Sequence, residues 1–403
     1  MTNYRYVIVG GGQTAASAVE GIRARDAEGS ILLLAAEPEL PYERPPLSKQ
    51  LWLTDKPVAE VFPHTAAYYA DNKVTLKLGA AATAIDAQRH AVRDAQGGEY
   101  GYGKLLLATG GTPRKLPIPG GDLPGLCYFR TLADYRMLRA ASGAGKTAVV
   151  VGGGFIGSEI AAALVSQGVQ VTMIFQDGWL GARVFPQPLG EALTAHYRGK
   201  GVRMLTGDAP AKIEARGAGF TLSTRSMTTP SGAALDADLV VVGIGIAPNL
   251  DLGRAAGLEA GDGIVVNEYL QTSNPDIYAA GDVAYFPEAG LGPRRIEHWD
   301  CAATHGTHAG GNMAGAGAKF EAMPMFFSDL FEFGYEAAGE VDSRLDTVAD
   351  WQEEFKTGVI YYLRDNKLRG AMLCNVWGKV DEARALIRQG VGAAQVKGAI
   401  AFA

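Results

Sequence analysis

One unit occurs twice in this chain, and it constrains the fold more than any other feature. The segment Tyr6-Val7-Ile8-Val9-Gly10-Gly11-Gly12-Gln13-Thr14-Ala15 is matched in pattern by Ala148-Val149-Val150-Val151-Gly152-Gly153-Gly154-Phe155-Ile156-Gly157. In each copy an apolar run enters a Gly-x-Gly-x-x-Gly/Ala turn. A helical spacing follows (Ala18 and Ile22; Ile160 and Leu164), and a second apolar run closes the unit (Ile31 to Leu34; Val169 to Phe175). The pattern predicts strand, turn, helix and strand, twice over. The first glycine (Gly10, Gly152) makes the turn, and the second (Gly12, Gly154) lets the backbone approach a pyrophosphate. The third position (Ala15, Gly157) lets helix and strand pack closely. Phosphates then meet unpaired amides at the positive end of the helix. A solitary glycine turn says little. Two of them, each in a strand–helix–strand setting, predict two dinucleotide sites on Rossmann-like units.

An acid should follow the second strand of each unit to accept hydrogen bonds from ribose hydroxyls. In the first unit it is Glu37. In the second, Phe175-Gln176 occupy the usual place and the acid comes at Asp177, with the next cation only at Arg183. A 2′-phosphate would need a cation there, so NADH is expected over NADPH. The apolar run Leu105 to Leu107, entering Ala108-Thr109-Gly110, has its counterpart in Leu239 to Val242, entering Gly243-Ile244-Gly245. A further strand-like segment, Ile277-Tyr278-Ala279-Ala280-Gly281-Asp282, returns after the second unit, so that unit reads as inserted into the first. From about Met323 short segments rich in Phe and Tyr alternate with turns, and a helix-like stretch, Asp381 to Gln389, follows. The expected domains are 1–115 with 248–322, 116–247, and a small α+β domain at 323–403, in keeping with two to three domains for 403 residues.

Composition removes several classes. The 37 Lys+Arg against 43 Asp+Glu give a net charge of −6, and no basic block suggests a nucleic-acid partner. The three cysteines, Cys127, Cys301 and Cys374, are far apart and form no CxxC, so neither a dithiol centre nor a zinc ribbon is signalled. A sparse, odd count suits a reducing cytoplasm. No signal-peptide pattern precedes the first strand, and no run of about 18 apolar residues would span a membrane. Cys301, His305 and His308 fall on one helical face, but no acid or further cysteine completes a metal site. The small apolar residues from Val391 to Ala403 read as a frayed or packed tail.

Taken in order, Val9-Gly10-Gly11-Gly12, Pro41-Tyr42-Glu43-Arg44-Pro45-Pro46-Leu47-Ser48-Lys49, Ala108-Thr109-Gly110, Gly152 to Glu159 and Ala280-Gly281-Asp282 resemble the FAD-dependent pyridine-nucleotide oxidoreductases of the ferredoxin reductase and apoptosis-inducing-factor-like family. The resemblance covers residues 5 to 390. Arg295 to Asp342, with Glu297-His298, Asn312-Met313, Ser328-Asp329-Leu330 and Gly334-Tyr335-Glu336, is similar to the apoptosis-inducing-factor group. The resemblance implies an α/β fold of glutathione-reductase-like, three-layer ββα type: two Rossmann-like dinucleotide-binding domains and a small α+β C-terminal domain. It implies FAD on the first unit, held by Gly10, Gly12, Ala15, Glu37, Arg44, Lys49, Ala82, Thr109, Gly110, Arg114, Asp282, Glu297, His298 and Trp299. It implies NAD(H) on the second, held by Gly152, Gly154, Phe155, Ile156, Gly157, Glu159, Asp177, Gly243, Ile244 and Gly245.

By the same resemblance Lys49 and Glu159 pair beside the flavin, and Trp299 stacks on nicotinamide or carries an electron outward. Hydride transfer itself belongs to the cofactors. Disulfide reductases of this architecture carry a cysteine pair in the first unit, and this chain has no cysteine before Cys127. Electrons are therefore expected to leave the flavin directly, for a [2Fe-2S] ferredoxin or a quinone, dye or dioxygen. An acidic ferredoxin would dock on cations, with Arg183, Arg294, Arg295 and Arg344 as candidates. The leading expectation is an NADH-dependent flavoprotein reductase in the cytoplasm, monomer or homodimer. Three alternatives stand beside it: an apoptosis-inducing-factor-like NADH oxidase with a stable charge-transfer complex, a redox-gated binding protein with little turnover, and a dehydrogenase without flavin.

Overall fold

Four apolar runs pair side by side as the parallel core of the first unit. The strands Val74–Lys77, Ile31–Leu34, Thr2–Val9 and Glu99–Leu107 lie in that order, with Val7 opposite Leu32 on one side and Leu105 on the other. Helices or other layers cover both faces of such sheets, so their strands are apolar almost throughout; Ile31 to Leu34 are all fully buried. Ile277–Ala279 pairs in parallel with Leu105 to Leu107 and completes this sheet after the intervening second unit. Ala82–Asp86 and Ala91–Asp94 add an antiparallel ribbon through Glu99 to Gly101.

The computed structural model describes residues 1–225 and 234–402. The chain divides into two compact units: Met1–Arg44, Val58–Thr112 and Ala247–Phe326 form the first, and Pro45–Pro57, Pro113–Ile246 and Phe327–Ala403 the second. In the first, helices Gln13–Arg23 and Trp299–Met313 pack almost backbone to backbone. A Cβ on Gly21 would collide with the Thr307 carbonyl, and one on Gly310 with that of Ala18. Only residues without side chains there permit the approach.

The second unit repeats the parallel arrangement in the order Arg203–Thr206, Gln170–Phe175, Thr147–Val151, Leu239–Val242 and Cys127–Tyr128. An antiparallel sheet of Pro210–Arg216, Gly219–Thr224 and Ala234–Ala237 packs with it through Ile213, Leu222 and Leu235. The C-terminal part of the unit is a five-stranded sheet in the order Met325–Leu330, Phe333–Gly339, Lys367–Cys374, Thr357–Arg364 and Asp346–Glu353, with helix Val380–Gln389. The tail is packed as far as it is described: Val396 and Ile400 are buried, and the Gly398 N–H donates to Asp350 at 2.7 Å. Both units are thus α/β Rossmann-like, as the repeated motif predicts. No helix among the described residues is long and apolar enough to cross a membrane.

Candidate functional site

In the first unit, Gly10 has φ +139°, and a Cβ there would collide with the Ala108 carbonyl. Gly12 caps helix Gln13–Arg23 without any side-chain cap, and a Cβ there would meet nothing within 4 Å. The amide-bearing end of the helix therefore opens onto space, while Ala15 is fully buried behind it. Glu37 is held from two sides. The Tyr42 hydroxyl donates to Oε2 at 2.5 Å, Arg44 Nη2 donates to Oε1 at 2.8 Å, and Arg44 Nη1 donates to the Tyr42 hydroxyl at 3.1 Å. Each carboxylate oxygen retains a lone pair for a ribose hydroxyl. Ala82 opens the strand Ala82–Asp86, opposite Asp94.

Thr109 and Gly110 are fixed by Asn249, a residue the sequence did not single out. The Thr109 hydroxyl donates to the Asn249 carbonyl at 3.0 Å, and Asn249 Nδ2 donates to the Thr109 carbonyl at 2.8 Å. The Asn249 N–H donates to the Gly110 carbonyl at 2.9 Å. Asp282 follows the strand Ile277–Ala279, and its carbonyl accepts from Arg295 Nη1 at 3.3 Å. Glu297 pairs with Arg295. His298 caps helix Trp299–Met313, and its ring stacks on Phe326 with centroids 4.4 Å apart. Burial pushes this imidazole down to about 4, against the opposing pull of the Asp282 charge. The Trp299 indole N–H is buried with no hydrogen-bond partner among the described residues. An open helix end, a carboxylate with spare lone pairs and an orphaned indole N–H fit a dinucleotide cofactor.

The second unit repeats the turn. Gly152 has φ +115°, and a Cβ on it would collide with the Gly243 carbonyl. Gly154 caps helix Phe155–Ser166 with nothing within 4 Å of a Cβ, and a Cβ on Gly157 would collide with the Gly152 carbonyl. Ile156 is 37% exposed at the open end, with Phe155 half-buried beside it in sequence. The Gly243 N–H donates to Val151 at 2.9 Å, Ile244 is half-buried, and Gly245 accepts at 3.0 Å from the N–H of the exposed Arg114. Asp177 is exposed, and only its backbone carbonyl is engaged, by the Gly207 N–H at 2.9 Å.

Also in the second unit, Lys49 and Glu159 come together although 110 residues separate them in sequence. Lys49 Nζ lies 3.2 Å from Glu159 Oε1, and each side chain is 5% exposed. Two hydroxyls complete the carboxylate's shell: Ser48 donates to Oε2 at 2.5 Å and Ser328 to Oε1 at 2.6 Å. Lys49 also donates to the Phe327 carbonyl at 3.3 Å and lies over the Phe327 ring, 4.2 Å from its centroid. Charges at such a distance attract by about 4 kcal/mol at an effective dielectric of 20, before desolvation. The hydroxyls matter because a buried ion pair persists only when its remaining lone pairs are satisfied. Ser48, Ser328 and Phe327 were not anticipated as partners. A serine carries no signal of its own in sequence, and Ser328 lies far along the chain from both charges.

The expected docking cations are mostly engaged. Arg294 pairs with Glu288 at 3.2 Å, Arg295 with Asp262 and Glu297, and Arg344 with Asp342. Arg183 is exposed. Cys301 and His305 are buried together with Sγ and Nε2 3.7 Å apart, whereas His308 donates through Nε2 to the Ala318 carbonyl at 2.7 Å. All three thiols are buried; burial pushes Cys127 up to about 12 and raises Cys301 and Cys374 well above the usual thiol range.

Known proteins share this architecture. Residues 4–306 match the family described as pyridine nucleotide-disulphide oxidoreductase, and 309–354 with 349–389 match the C-terminal domain of mitochondrion-associated apoptosis-inducing factor. The ferredoxin--NAD(+) reductase component of the anthranilate 1,2-dioxygenase system of Burkholderia cepacia is 35% identical over 389 residues, 96% of this chain and 94% of that one. The mitochondrial apoptosis-inducing factor 1 of Dictyostelium discoideum is 34% identical over 426 residues, 95% of this chain and 78% of that one. Among solved structures, the covalent putidaredoxin reductase–putidaredoxin complex superposes with a TM-score of 0.89 at 30% identity, over 97% of this chain and 94% of that chain. With two glycine turns of one geometry and a match across three quarters of its length, the chain belongs to the pyridine nucleotide-disulphide oxidoreductase family.

Proposed function

We propose that this chain is an FAD-containing reductase that takes electrons from NADH and passes them to an external iron–sulfur protein of the ferredoxin class. The observation that carries the reading is the pair of open glycine turns in a chain whose every thiol is buried and held protonated. Bound FAD would supply the hydride acceptor and the one-electron steps that join a two-electron donor to a one-electron acceptor. Gly12, Glu37, Thr109, Gly110 and Asp282 are the residues proposed to hold it, with Arg44 and Tyr42 fixing Glu37. Gly154, Ile156, Asp177 and Gly245 are proposed to hold NADH. The role proposed for Lys49 is to stabilise the negative charge of a reduced flavin, with Glu159 holding the ammonium in place. Trp299 is proposed to offer its unsatisfied N–H and flat ring to the nicotinamide side. No thiol relay is available, since a buried protonated cysteine is a poor nucleophile.

The match of residues 309–389 to the apoptosis-inducing-factor C-terminal domain supports a second reading, an NADH oxidase that reacts slowly and passes electrons to quinones or dioxygen. Anaerobic stopped-flow mixing with NADH, followed by oxidised ferredoxins and quinones, separates the two. Fast flavin bleaching and fast reoxidation by a ferredoxin are expected. Slow bleaching into a persistent long-wavelength charge-transfer band, with no preferred ferredoxin, overturns the first reading in favour of the second.

A further inference from the structure

Helix Trp299–Met313 carries a buried polar group that the proposed reaction leaves unused. His305 is fully buried, with its ring edge-on between Phe286 and Phe320, centroids 4.4 and 4.5 Å away. A hydrophobic residue would fill such a space without the cost of burying two nitrogens. The nitrogens have partners instead. Nδ1 accepts the Gly281 N–H at 3.3 Å, and Nε2 faces the Cys301 sulfur at 3.7 Å. Burial pushes the imidazole down to about 3, so it is neutral at working pH. One nitrogen of a neutral ring must be the acceptor and the other carry the proton; Nδ1 accepts from Gly281, so the proton is on Nε2, toward the sulfur.

Gly281 is not an incidental partner. It precedes Asp282, has φ +73°, and a Cβ on it would collide with the Thr14 hydroxyl. Its N–H is buried in the turn that presents Asp282, where an amide without an acceptor is costly. On the other side of that turn the Asp282 carbonyl accepts from Arg295 at 3.3 Å. The turn is thus gripped at the amide before Asp282 and at the carbonyl after it.

We propose that His305 is a positioning residue for the flavin cofactor: through Nδ1 it fixes Gly281 and so holds the Asp282 carboxylate where the ribityl hydroxyls bind. The inference rests on the reading that the first unit binds FAD. It predicts that what matters at position 305 is an acceptor at the Nδ1 place, not the volume of the ring.

The test is FAD affinity, measured by titrating the deflavinated full chain and following flavin fluorescence, for the native protein, His305→Phe and His305→Asn. Phenylalanine keeps the ring and removes the acceptor; asparagine keeps an acceptor near the Nδ1 position and loses volume. His305→Phe is expected to bind FAD about tenfold more weakly, equivalent to about 1.4 kcal/mol, and His305→Asn to stay within about threefold of native. If the phenylalanine variant does not fold, His305→Leu against His305→Asn makes the same comparison. An unchanged affinity in His305→Phe, or a loss in His305→Asn as large as that in the acceptor-free variants, overturns the inference and leaves a packing role. A native chain that binds no FAD overturns the proposed function as well, which keeps the two failures apart.

Discussion

The two glycine turns are near copies in backbone, but the acids that follow them are prepared differently. Glu37 is clamped by Tyr42 and Arg44 before any ligand arrives. Asp177 is exposed, and among the described residues its carboxylate makes no hydrogen bond or ion pair. Ordering a side chain on binding costs free energy, and a group ordered in advance avoids that cost. A clamped acid suits a resident cofactor, and an unclamped one suits a coenzyme that must leave after each turnover. On the proposed roles, the repeat would supply the same pyrophosphate cradle twice, and the neighbouring side chains would set how long each guest stays.

The largest expected effect probes a feature of the second unit alone. Glu159→Leu should destabilise the protein by about 3–5 kcal/mol in urea unfolding, because it strands a buried ammonium. Lys49→Met added to it should recover most of the loss. A single variant as stable as native would mean that the pair is hydrated in solution. The next test asks whether the turns are copies in energy as well as in shape. Gly10→Ala and Gly152→Ala should each cost about 3 kcal/mol, from left-handed strain and overpacking together. Clearly unequal losses would break the equivalence.

Acid should separate the units. The buried, neutral His298 and His305 belong to the first, whereas His196 of the second pairs with Glu332 at 3.2 Å. A histidine whose folded value lies below its unfolded value of about 6.5 binds fewer protons when folded. Its stabilisation is therefore complete above about pH 6.5 and is lost as pH falls toward the folded value. By pH 4 His305 alone should remove about 3 kcal/mol. Flavin release is then expected at a higher pH than the loss of far-ultraviolet dichroism, and coincident midpoints would count against it. The smallest effect sharpens the opening contrast. Asp177→Ala should leave the melting temperature unchanged and raise the KM for NADH about tenfold, the size of one charge-assisted hydrogen bond. Glu37→Ala should lower both FAD content and melting temperature, since it also removes the ion pair with Arg44.

Much of this was legible from the sequence because both units rest on local signals. An apolar run entering a glycine turn dictates a strand and a helix start, and Gly10 and Gly152 do have the positive φ that such turns demand. What escaped was the set of groups that hold other groups. Asn249 reaches back to Thr109 across 140 residues, and Ser328 reaches Glu159 across 169. Tyr42 sits within the Pro41–Lys49 motif, and nothing local says that a tyrosine there will bridge Glu37 and Arg44. Such partners have no periodicity and no fixed spacing; only the closed tertiary structure brings them together.

The burial of the three thiols has a consequence for endurance as well as for electron flow. A reduced flavin that meets dioxygen generates peroxide within the protein that makes it. Peroxide attacks thiolates, and the first oxidation product is driven onward by further peroxide. Cys127, Cys301 and Cys374 are at most 3% exposed and are held as thiols. Such a protein can tolerate its own leakage: side reactions with oxygen would waste NADH without scarring the polypeptide at its cysteines.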